Sequence, residues 1–200
     1  MNKNTTDDNF KFRSEWNVLY RQLFYGELHK IRFKHVLFSE CGFGFLAKEF
    51  ARKFPHAKIT AIDNNKDKIR TAIRINKYPN IFYDNKNIFS LNKNNKYDMI
   101  ITNECLSFLD DEKLYKFLTT AKTLTRKTFV ALNEWNIEYS SEKGKHECSK
   151  NSKIYSHNYK QVFKNINMFA YLYRLPETKY SYNTNCFFIG SIRNEKNINR

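Results

Sequence analysis

Short runs of β-branched and aromatic residues alternate with amphipathic stretches of helical period from Lys34 to the end of the chain. This alternation is typical of a mostly parallel sheet covered by helices. It predicts an α/β chain with a doubly wound sheet of seven strands, the last two adding an antiparallel edge. The predicted strands are 35–39, 58–63, 80–83, 97–102, 128–132, 168–175 and 185–193, and the predicted helices are 10–30, 45–54, 65–76, 110–125 and 155–166.

The chain has 200 residues and a mass of 24.1 kDa, which is the size of one ordinary domain. Within it we expect an N-terminal helical segment, residues 1–33, and a frayed tail, residues 194–200. Residues 133–152 are polar and have no period, so we expect a loop there. Because loops above ~12–15 residues in compact domains are often lids or binding loops, this segment is predicted to face the substrate.

The formal net charge is +15, from 35 Lys and Arg against 20 Asp and Glu. A charge of this size favours a polyanionic partner such as nucleic acid. However, Lys outnumbers Arg 25 to 10 and Asn occurs 25 times, a joint excess typical of AT-rich genomes. Phosphate-binding faces more often use Arg, whose planar fork binds phosphate at two points. We therefore attribute most of the charge to composition and do not expect a nucleic-acid partner.

Other sequence signals exclude some classes of protein. No apolar stretch approaches the ~20 residues of a membrane span, and the polar start is unlike a signal peptide, so we expect a cytoplasmic protein without membrane insertion. The cysteines are far apart and form no C-x-x-C pair, which predicts free thiols and no metal site. They are Cys41, Cys105, Cys148 and Cys186.

A glycine-containing turn follows the first predicted strand. Gly42 and Gly44 lie between that strand and a helix, where backbone N–H groups can approach a ligand closely. Asp63 ends the second strand, at the position from which a carboxylate accepts hydrogen bonds from the ribose hydroxyls of a nucleotide. The alternative is a plain turn with a helix-capping Asp63. The combination favours a nucleotide site.

Several segments, in the right order, resemble the class I S-adenosylmethionine-dependent methyltransferases. HVLFSECGFGFLAKEFA looks like their glycine-rich motif, KITAID like the ribose motif and NIFSL like the adenine motif. YDMIITNECLSFLDDEKL looks like the segment after the fourth strand, and TFVALNEWN like the fifth strand and its exit. The resemblance implies a Rossmann-like fold that uses S-adenosylmethionine and releases S-adenosylhomocysteine. The cofactor-binding residues that it implies are Glu40, Cys41, Gly42, Gly44, Asp63, Asn64, Asn87, Ile88 and Asn103.

Within that superfamily, the chain is most similar to the nodulation-protein-S-like methyltransferases. KIRFKHVLFSECGFG and NECLSFL resemble stretches of that group, and Gly144 and His146 match a Gly and a His in its lid loop. This likeness implies methylation of N or O on an amino sugar, a glycan precursor or a related small metabolite.

Two residues depart from the family pattern at the first strand. Phe38 stands where the family usually has an acid, and Glu40 stands where it usually has the first glycine. One hypothesis is that Glu40 has taken over the role of the acid near the amino group of the cofactor. The opposite hypothesis is that the site binds the cofactor poorly. Asn87 also replaces a usual Asp, but its amide oxygen can still accept from an adenine amino group.

Methyl transfer requires alignment of the nucleophile and exclusion of water, and a nearby base helps. The candidate catalytic residues are His146 and Glu104. The candidate substrate-binding residues are Tyr20, Trp135, Glu134 and His157, since aromatic rings stack on sugars and attract cations. Each of these residues has an alternative role without chemistry, such as packing in the core or carrying a charge in contact with solvent.

Two other functions stay open. An RNA methyltransferase would fit the charge, but enzymes that flip an amino-bearing base usually carry N/D-P-P-Y/F after the fourth strand, and the chain has TNEC there. A non-catalytic, methyltransferase-like scaffold protein would fit Phe38 and Glu40. The sequence does not indicate the oligomeric state.

Overall fold

The computed structural model describes residues 22–135, 155, 157, 159–174 and 184–192. It divides into two units, Met1–Arg32 and Phe33–Arg200. In the first unit, residues 22–29 form helix α1. All the other elements described below belong to the second unit. None of the helices in the described ranges is long and apolar enough to cross a membrane.

The second unit contains one seven-stranded sheet in the order β3-β2-β1-β4-β5-β7-β6. The first five strands pair in parallel, whereas β7 pairs antiparallel with both β5 and β6. This arrangement confirms the predicted α/β class, the doubly wound sheet and its antiparallel edge. The strands are β1 His35–Ser39, β2 Lys58–Ile62, β3 Ile81–Asp84, β4 Tyr97–Asn103, β5 Thr125–Trp135, β6 Met168–Arg174 and β7 Thr184–Ile192.

Four helices belong to the same unit, and capping side chains mark the starts of two of them, α3 and α4. Asn65 accepts from the backbone N–H groups of Asp67 and Lys68, and Asp110 accepts from that of Lys113. These bonds satisfy donors that the first turn of a helix cannot pair internally. The helices are α2 Phe45–Lys53, α3 Lys66–Ile75, α4 Asp111–Leu124 and α5 Tyr159–Asn165, and two short 3₁₀ turns are Ile88–Ser90 and Leu106–Phe108.

Alternating residues of β1 reach opposite faces of the sheet, as expected for a strand covered on both sides. Leu37 belongs to the buried cluster that includes Leu118 of α4 and Phe163 of α5. Phe38 lies against the edge of the Phe50 ring of α2, at a centroid distance of 5.2 Å. Each fully buried Phe or Leu contributes roughly 1.5–3 kcal/mol relative to an exposed one. Burial on both faces therefore fixes the position of β1.

Three predicted boundaries are wrong. The fifth strand, predicted from Thr128, begins at Thr125. The loop expected from Asn133 begins later, because β5 continues to Trp135 and pairs residue by residue with β7 there. The helix expected from Tyr155 begins at Tyr159. At Tyr155 the backbone N–H donates instead to the carbonyl oxygen of Ser107, at 2.7 Å. The end of β5 and the start of α5 are both decided by contacts with residues that are distant in the sequence. The periodicity of apolar residues does not reveal such contacts. The rest of the predicted loop, the tail and residues 10–21 lie outside the described residues.

Candidate functional site

The sequence order of the strands reverses between β1 and β4, which lie side by side at the centre of the sheet. In open α/β sheets, ligands bind at the carboxyl ends of the strands at such a switch point. Glu40 follows β1, Asp63 follows β2, and Glu104 follows β4. The topology thus brings together three of the predicted site residues.

The turn after β1 is the glycine turn predicted from the sequence. Both of its glycines have a left-handed backbone, with φ of +58° at Gly42 and +78° at Gly44. A Cβ at Gly44 would lie 2.6 Å from the hydroxyl oxygen of Tyr83, whereas a Cβ at Gly42 would meet no atom of the described residues within 4 Å. Gly44 is therefore required for packing. Gly42 borders open space, which a ligand can occupy.

Asp63 is only 3% exposed and lies beneath the glycine turn. Its Oδ2 accepts from the Gly42 N–H and its Oδ1 from the Asn65 N–H, both at 2.8 Å. The side chain that caps α3 is Asn65, so capping does not explain Asp63. A carboxylate has about four lone-pair sites, and the contacts among the described residues use two of them.

Glu40 and Glu104 share an unusual backbone conformation. Each has φ of +54°, and each follows one of the two central strands. Residues with a Cβ rarely adopt this region. Burial, followed by the negative charge of Asp63, raises the pKa of Glu40, and the positive charge of Lys68 opposes this shift. Glu104 is exposed. Two carboxyl groups in strained positions thus flank the switch point.

Two thiols lie at the same edge. Burial is the main reason that the pKa of Cys41 and that of Cys105 both rise to about 12. The Cys105 Sγ also lies 2.6 Å from the Thr102 hydroxyl oxygen. Because nucleophilic cysteines require a lowered pKa, neither thiol is suited to covalent catalysis.

The predicted adenine-binding segment follows β3. Ile88 is buried, and the Asn87 Oδ1 accepts from the N–H groups of Phe89 and Ser90, at 2.8 and 3.1 Å. The amide oxygen that was expected to contact adenine therefore already caps a 3₁₀ turn. Asn64 and Asn103 are both exposed at the carboxyl edge of the sheet.

Phe38, which replaces the usual acid, is part of the core. It is 3% exposed and packs on Phe50, so it makes no polar contact in the site. Any carboxylate that acts at the end of β1 must therefore belong to Glu40 or to a residue at the end of a neighbouring strand.

His157 is 2% exposed, and both of its ring nitrogens have partners. Nε2 lies 2.8 Å from the carbonyl oxygen of Leu109, and Nδ1 lies 3.2 Å from Oδ1 of Asp111. The ring connects the segment before α5 to the start of α4. This geometry does not support the predicted substrate contact of His157, because no ring nitrogen is left for a ligand.

The remaining predicted residues are only partly described. Glu134 and Trp135 lie in the last part of β5, which ends at the same edge as β4. Tyr20 and His146 lie outside the described residues. Their predicted roles stay predictions.

Two residues that support the site, Tyr83 and Asn85, were not predicted from the sequence. The single hydroxyl proton of Tyr83 lies between the carbonyl oxygens of Asn76 and Gly44, at oxygen–oxygen distances of 2.9 and 3.3 Å, and so Tyr83 supports the glycine turn from the side of β3. Asn85 donates to the backbone oxygen of Asp63 at 2.9 Å. No spacing rule finds such residues, since their role depends on how three strand ends meet.

Comparison with known proteins agrees with this geometry. A sequence profile described as a methyltransferase domain matches residues 36–128. A malonyl-[acyl-carrier protein] O-methyltransferase of Bacillus cytotoxicus is 30% identical over 117 residues, which are 56% of this chain and 41% of that protein. The chain spans about two-fifths of the length of the curated relatives it matches.

Two solved structures share the fold. Magnesium protoporphyrin IX methyltransferase of Synechocystis PCC 6803 with bound S-adenosylmethionine has a TM-score of 0.68 at 12% identity, covering 96% of this chain and 86% of that one. The N-methyltransferase NodS of Bradyrhizobium japonicum WM9 has a TM-score of 0.66 at 13% identity, covering 86% and 84%. Residues 36–128 are thus similar in sequence to a methyltransferase domain, and the fold of the chain is shared with solved methyltransferase structures.

Proposed function

We propose that this protein is an enzyme that transfers a methyl group from S-adenosylmethionine to N or O of a small molecule. The observation that carries the proposal is the glycine turn at the switch point, which the buried Asp63 holds in place through the Gly42 N–H. The similarity to known methyltransferases supports the same cofactor.

The residues at this edge fit S-adenosylmethionine. The open space at Gly42 admits a ligand close to the backbone, and Asp63 keeps lone pairs for two ribose hydroxyls. Asn64, Asn87 and Ile88 lie in the segments after β2 and β3, and Asn103 is the last residue of β4, so all four lie where an adenosine would extend along the edge. Ile88 is 1% exposed and supports this edge from the core.

When bound, the cofactor supplies an activated methyl group on a positively charged sulfur. The chain must then orient the acceptor, exclude water and accept a proton from it. Glu104 is suited to the last task, because it is exposed and directly follows β4 at the switch point. His146 is the second candidate for the base.

For the acceptor, we propose an amino sugar, a glycan precursor or a related metabolite, as the likeness to nodulation-protein-S-like enzymes implies. The fold similarity to NodS is consistent with this class. Trp135 and Tyr20 would stack on the acceptor, and Glu134 would bind its amino or hydroxyl groups. The backbone of β5 carries Glu134 and Trp135 to the edge where the cofactor is proposed.

A second acceptor class is an acyl group attached to a carrier protein. The curated relatives named as malonyl-[acyl-carrier protein] O-methyltransferases favour it. The net charge of +15 would also suit an acidic protein partner.

The first experiment is calorimetric titration of the protein with S-adenosylmethionine and S-adenosylhomocysteine. Binding of either supports the proposal, and no binding up to millimolar concentration contradicts it.

The second experiment compares methyl transfer from labelled cofactor to amino sugars, to malonyl-carrier protein and to RNA. Transfer to RNA that weakens steeply with salt would replace the small-molecule proposal. Cofactor binding without transfer to any acceptor would favour a scaffold role.

A further inference from the structure

Helix α3 carries a stripe of exposed residues that is mostly basic. Four exposed residues of the helix stand at positions i, i+4, i+7 and i+8, a spacing that places them on one side. Lys77 is also exposed and follows directly after the C-cap of the helix. We call these five residues the α3 stripe, and they are Lys66, Arg70, Ile73, Arg74 and Lys77.

The positive charges of the α3 stripe are hardly neutralised by the described part of the chain. Arg70 lies 3.3 Å from Oδ1 of Asp67, but both side chains are mostly exposed, and such surface pairs are weak in water. Lys66, Arg74 and Lys77 make no salt bridge with any described residue. The stripe therefore presents an unbalanced positive charge.

The basic composition of the chain does not account for this charge, because the helices do not share it equally. Helix α3 has four Lys and Arg residues against one Asp, whereas α4 has three Lys residues against one Asp and one Glu. Two of the four basic residues of α3 are Arg, although Lys outnumbers Arg 25 to 10 in the chain. A compositional excess of Lys would raise the charge of both helices alike.

Contacts with the segment around α2 fix the position of α3. The Lys48 Nζ donates to the carbonyl oxygen of Ile75 at 3.0 Å, and the Asn76 Nδ2 donates to that of Phe43 at 2.8 Å. The α3 stripe is thus part of a helix that is already held in place. Binding to such a preorganised surface loses little conformational entropy.

The apolar member of the stripe distinguishes between two kinds of anionic partner. Ile73 is 48% exposed between basic residues. A phosphate backbone would gain from the charges but not from Ile73, and α3 has no aromatic residue on which a base could stack. An acidic protein gains from both features, since protein interfaces combine apolar contacts with complementary charges.

We infer that the α3 stripe is a docking surface for an acidic protein segment, namely a helix that presents carboxylates one turn apart beside an apolar side chain. Residues four apart on α3 lie about 6 Å apart along its axis, a spacing that a second helix laid alongside it would match. This inference goes beyond the proposed methyl transfer and does not depend on the cofactor. Because α3 begins three residues after Asp63, a protein docked there would lie beside the proposed cofactor site.

The test uses three labelled probes. The first is a helical peptide of about 20 residues, long enough to be helical in water, with Glu residues one turn apart around a central Leu and Ala elsewhere. The second peptide has the same composition, but its Glu residues are spread over all sides of the helix. The third probe is single-stranded RNA. Fluorescence anisotropy measures binding of each probe at low and at moderate salt.

The variants separate the stripe from the net charge of the protein. The stripe variant combines three charge reversals, Lys66→Glu, Arg74→Glu and Lys77→Glu. The matched control has the same net charge and reverses three exposed lysines elsewhere, as Lys58→Glu, Lys93→Glu and Lys164→Glu. A third variant, Ile73→Ser, leaves the charge unchanged.

We expect the stripe variant to bind the first peptide at least tenfold more weakly than the matched control does, and the difference to shrink as salt is added. Ile73→Ser should weaken binding of the first peptide by about fivefold and leave RNA binding unchanged. The unsubstituted protein should prefer the first peptide over the second.

Four outcomes overturn the inference. Equal weakening in the stripe variant and the matched control would assign binding to net charge alone, and equal affinity for the two peptides would show that the stripe does not recognise the spacing of the carboxylates. RNA that binds more tightly than the first peptide and is released by the stripe variant would make α3 a nucleic-acid surface. No binding of the first peptide up to millimolar concentration would also contradict the inference. None of these measurements uses the cofactor, so the proposed function is tested separately.

Discussion

The backbone N–H of Gly42 donates a hydrogen bond of 2.8 Å to Oδ2 of Asp63, and this bond joins the ends of β1 and β2. The second oxygen of Asp63 accepts from Asn65 at the start of the next helix. One buried carboxylate therefore sets the shape of the glycine turn before any ligand arrives. The residue that the sequence marks as a ribose contact also has a structural role.

Substitution Asp63→Asn tests this structural role. The amide keeps one acceptor oxygen, but its NH₂ group would face a backbone N–H, leaving a buried donor unpaired. We expect the free energy of unfolding to fall by about 1–3 kcal/mol, measured by urea unfolding without ligand. The control is Asp67→Asn, since Asp67 is exposed and its contact with Arg70 is a surface ion pair at 3.3 Å. Equal stability of Asp63→Asn and the unsubstituted protein would show that the turn holds its shape without the carboxylate.

The two glycines of the turn should respond differently to alanine. At Gly44, Cβ would collide with the Tyr83 hydroxyl, in addition to the cost of φ at +78°. At Gly42, φ of +58° gives a similar backbone cost but Cβ enters open space. We expect Gly42→Ala to cost roughly 1–2 kcal/mol of stability and Gly44→Ala clearly more.

Cofactor titration of the same two variants separates packing from binding. Gly42→Ala should weaken S-adenosylmethionine binding more than its small stability loss suggests, because its methyl group occupies the space proposed for the ligand. If Gly42→Ala binds the cofactor normally, the cofactor does not approach the turn at this point.

Short-range sequence patterns were sufficient to predict most of the helices and strands. The strands from β1 to β4 and helices α2 to α4 lie within one or two residues of their predicted bounds, because β-branched runs, helical period and capping residues such as Asn65 and Asp110 all indicate the same limits. The later elements were harder to predict. The end of β5 is polar in sequence, and only its pairing with β7 makes it a strand.

The site was predictable in outline but not in detail. Gly42, Gly44 and Asp63 follow from spacing, since the carboxyl ends of neighbouring parallel strands must meet. Sequence could not show that Asn87 uses its oxygen to cap a turn or that His157 is buried, because both depend on tertiary contacts. The left-handed backbone of Glu40 was also hidden, although its place in a glycine motif was a signal.

Asp98 is expected to make stability depend on pH in acid. Burial alone would raise the pKa of its carboxyl, but the N–H groups of Lys34 and His35 and the charges of Lys127 and Arg126 lower the pKa below its usual value. A lowered pKa in the folded state stabilises the protein above the usual pKa, and this contribution is lost as the pH falls through the folded value. We expect Asp98→Asn to cost about 1–3 kcal/mol at pH 7, with the difference shrinking below about pH 4.

The matched variant for Asp98 is Arg126→Gln. The guanidinium lies 3.8 Å from Oδ1 of Asp98 and is half exposed, so its loss should change stability by less than about 1 kcal/mol. A larger effect from Arg126→Gln than from Asp98→Asn would assign the stabilisation to the ion pair and not to the backbone hydrogen bonds. Urea unfolding at several pH values measures both.

The thiols of Cys41 and Cys105 should react slowly with iodoacetamide while the protein is folded. Only the thiolate reacts, and burial raises the pKa of both to about 12, so at pH 8 roughly one thiol in ten thousand is ionised. An unperturbed thiol of pKa ≈ 8.5 is about one-quarter ionised at that pH. We expect both sites to be labelled at least a hundredfold more slowly in the folded protein than in urea, followed by mass spectrometry of the two peptides. Rapid labelling of Cys41 in the folded state would show that the glycine turn opens often enough to expose it, and saturating S-adenosylmethionine should then slow that labelling.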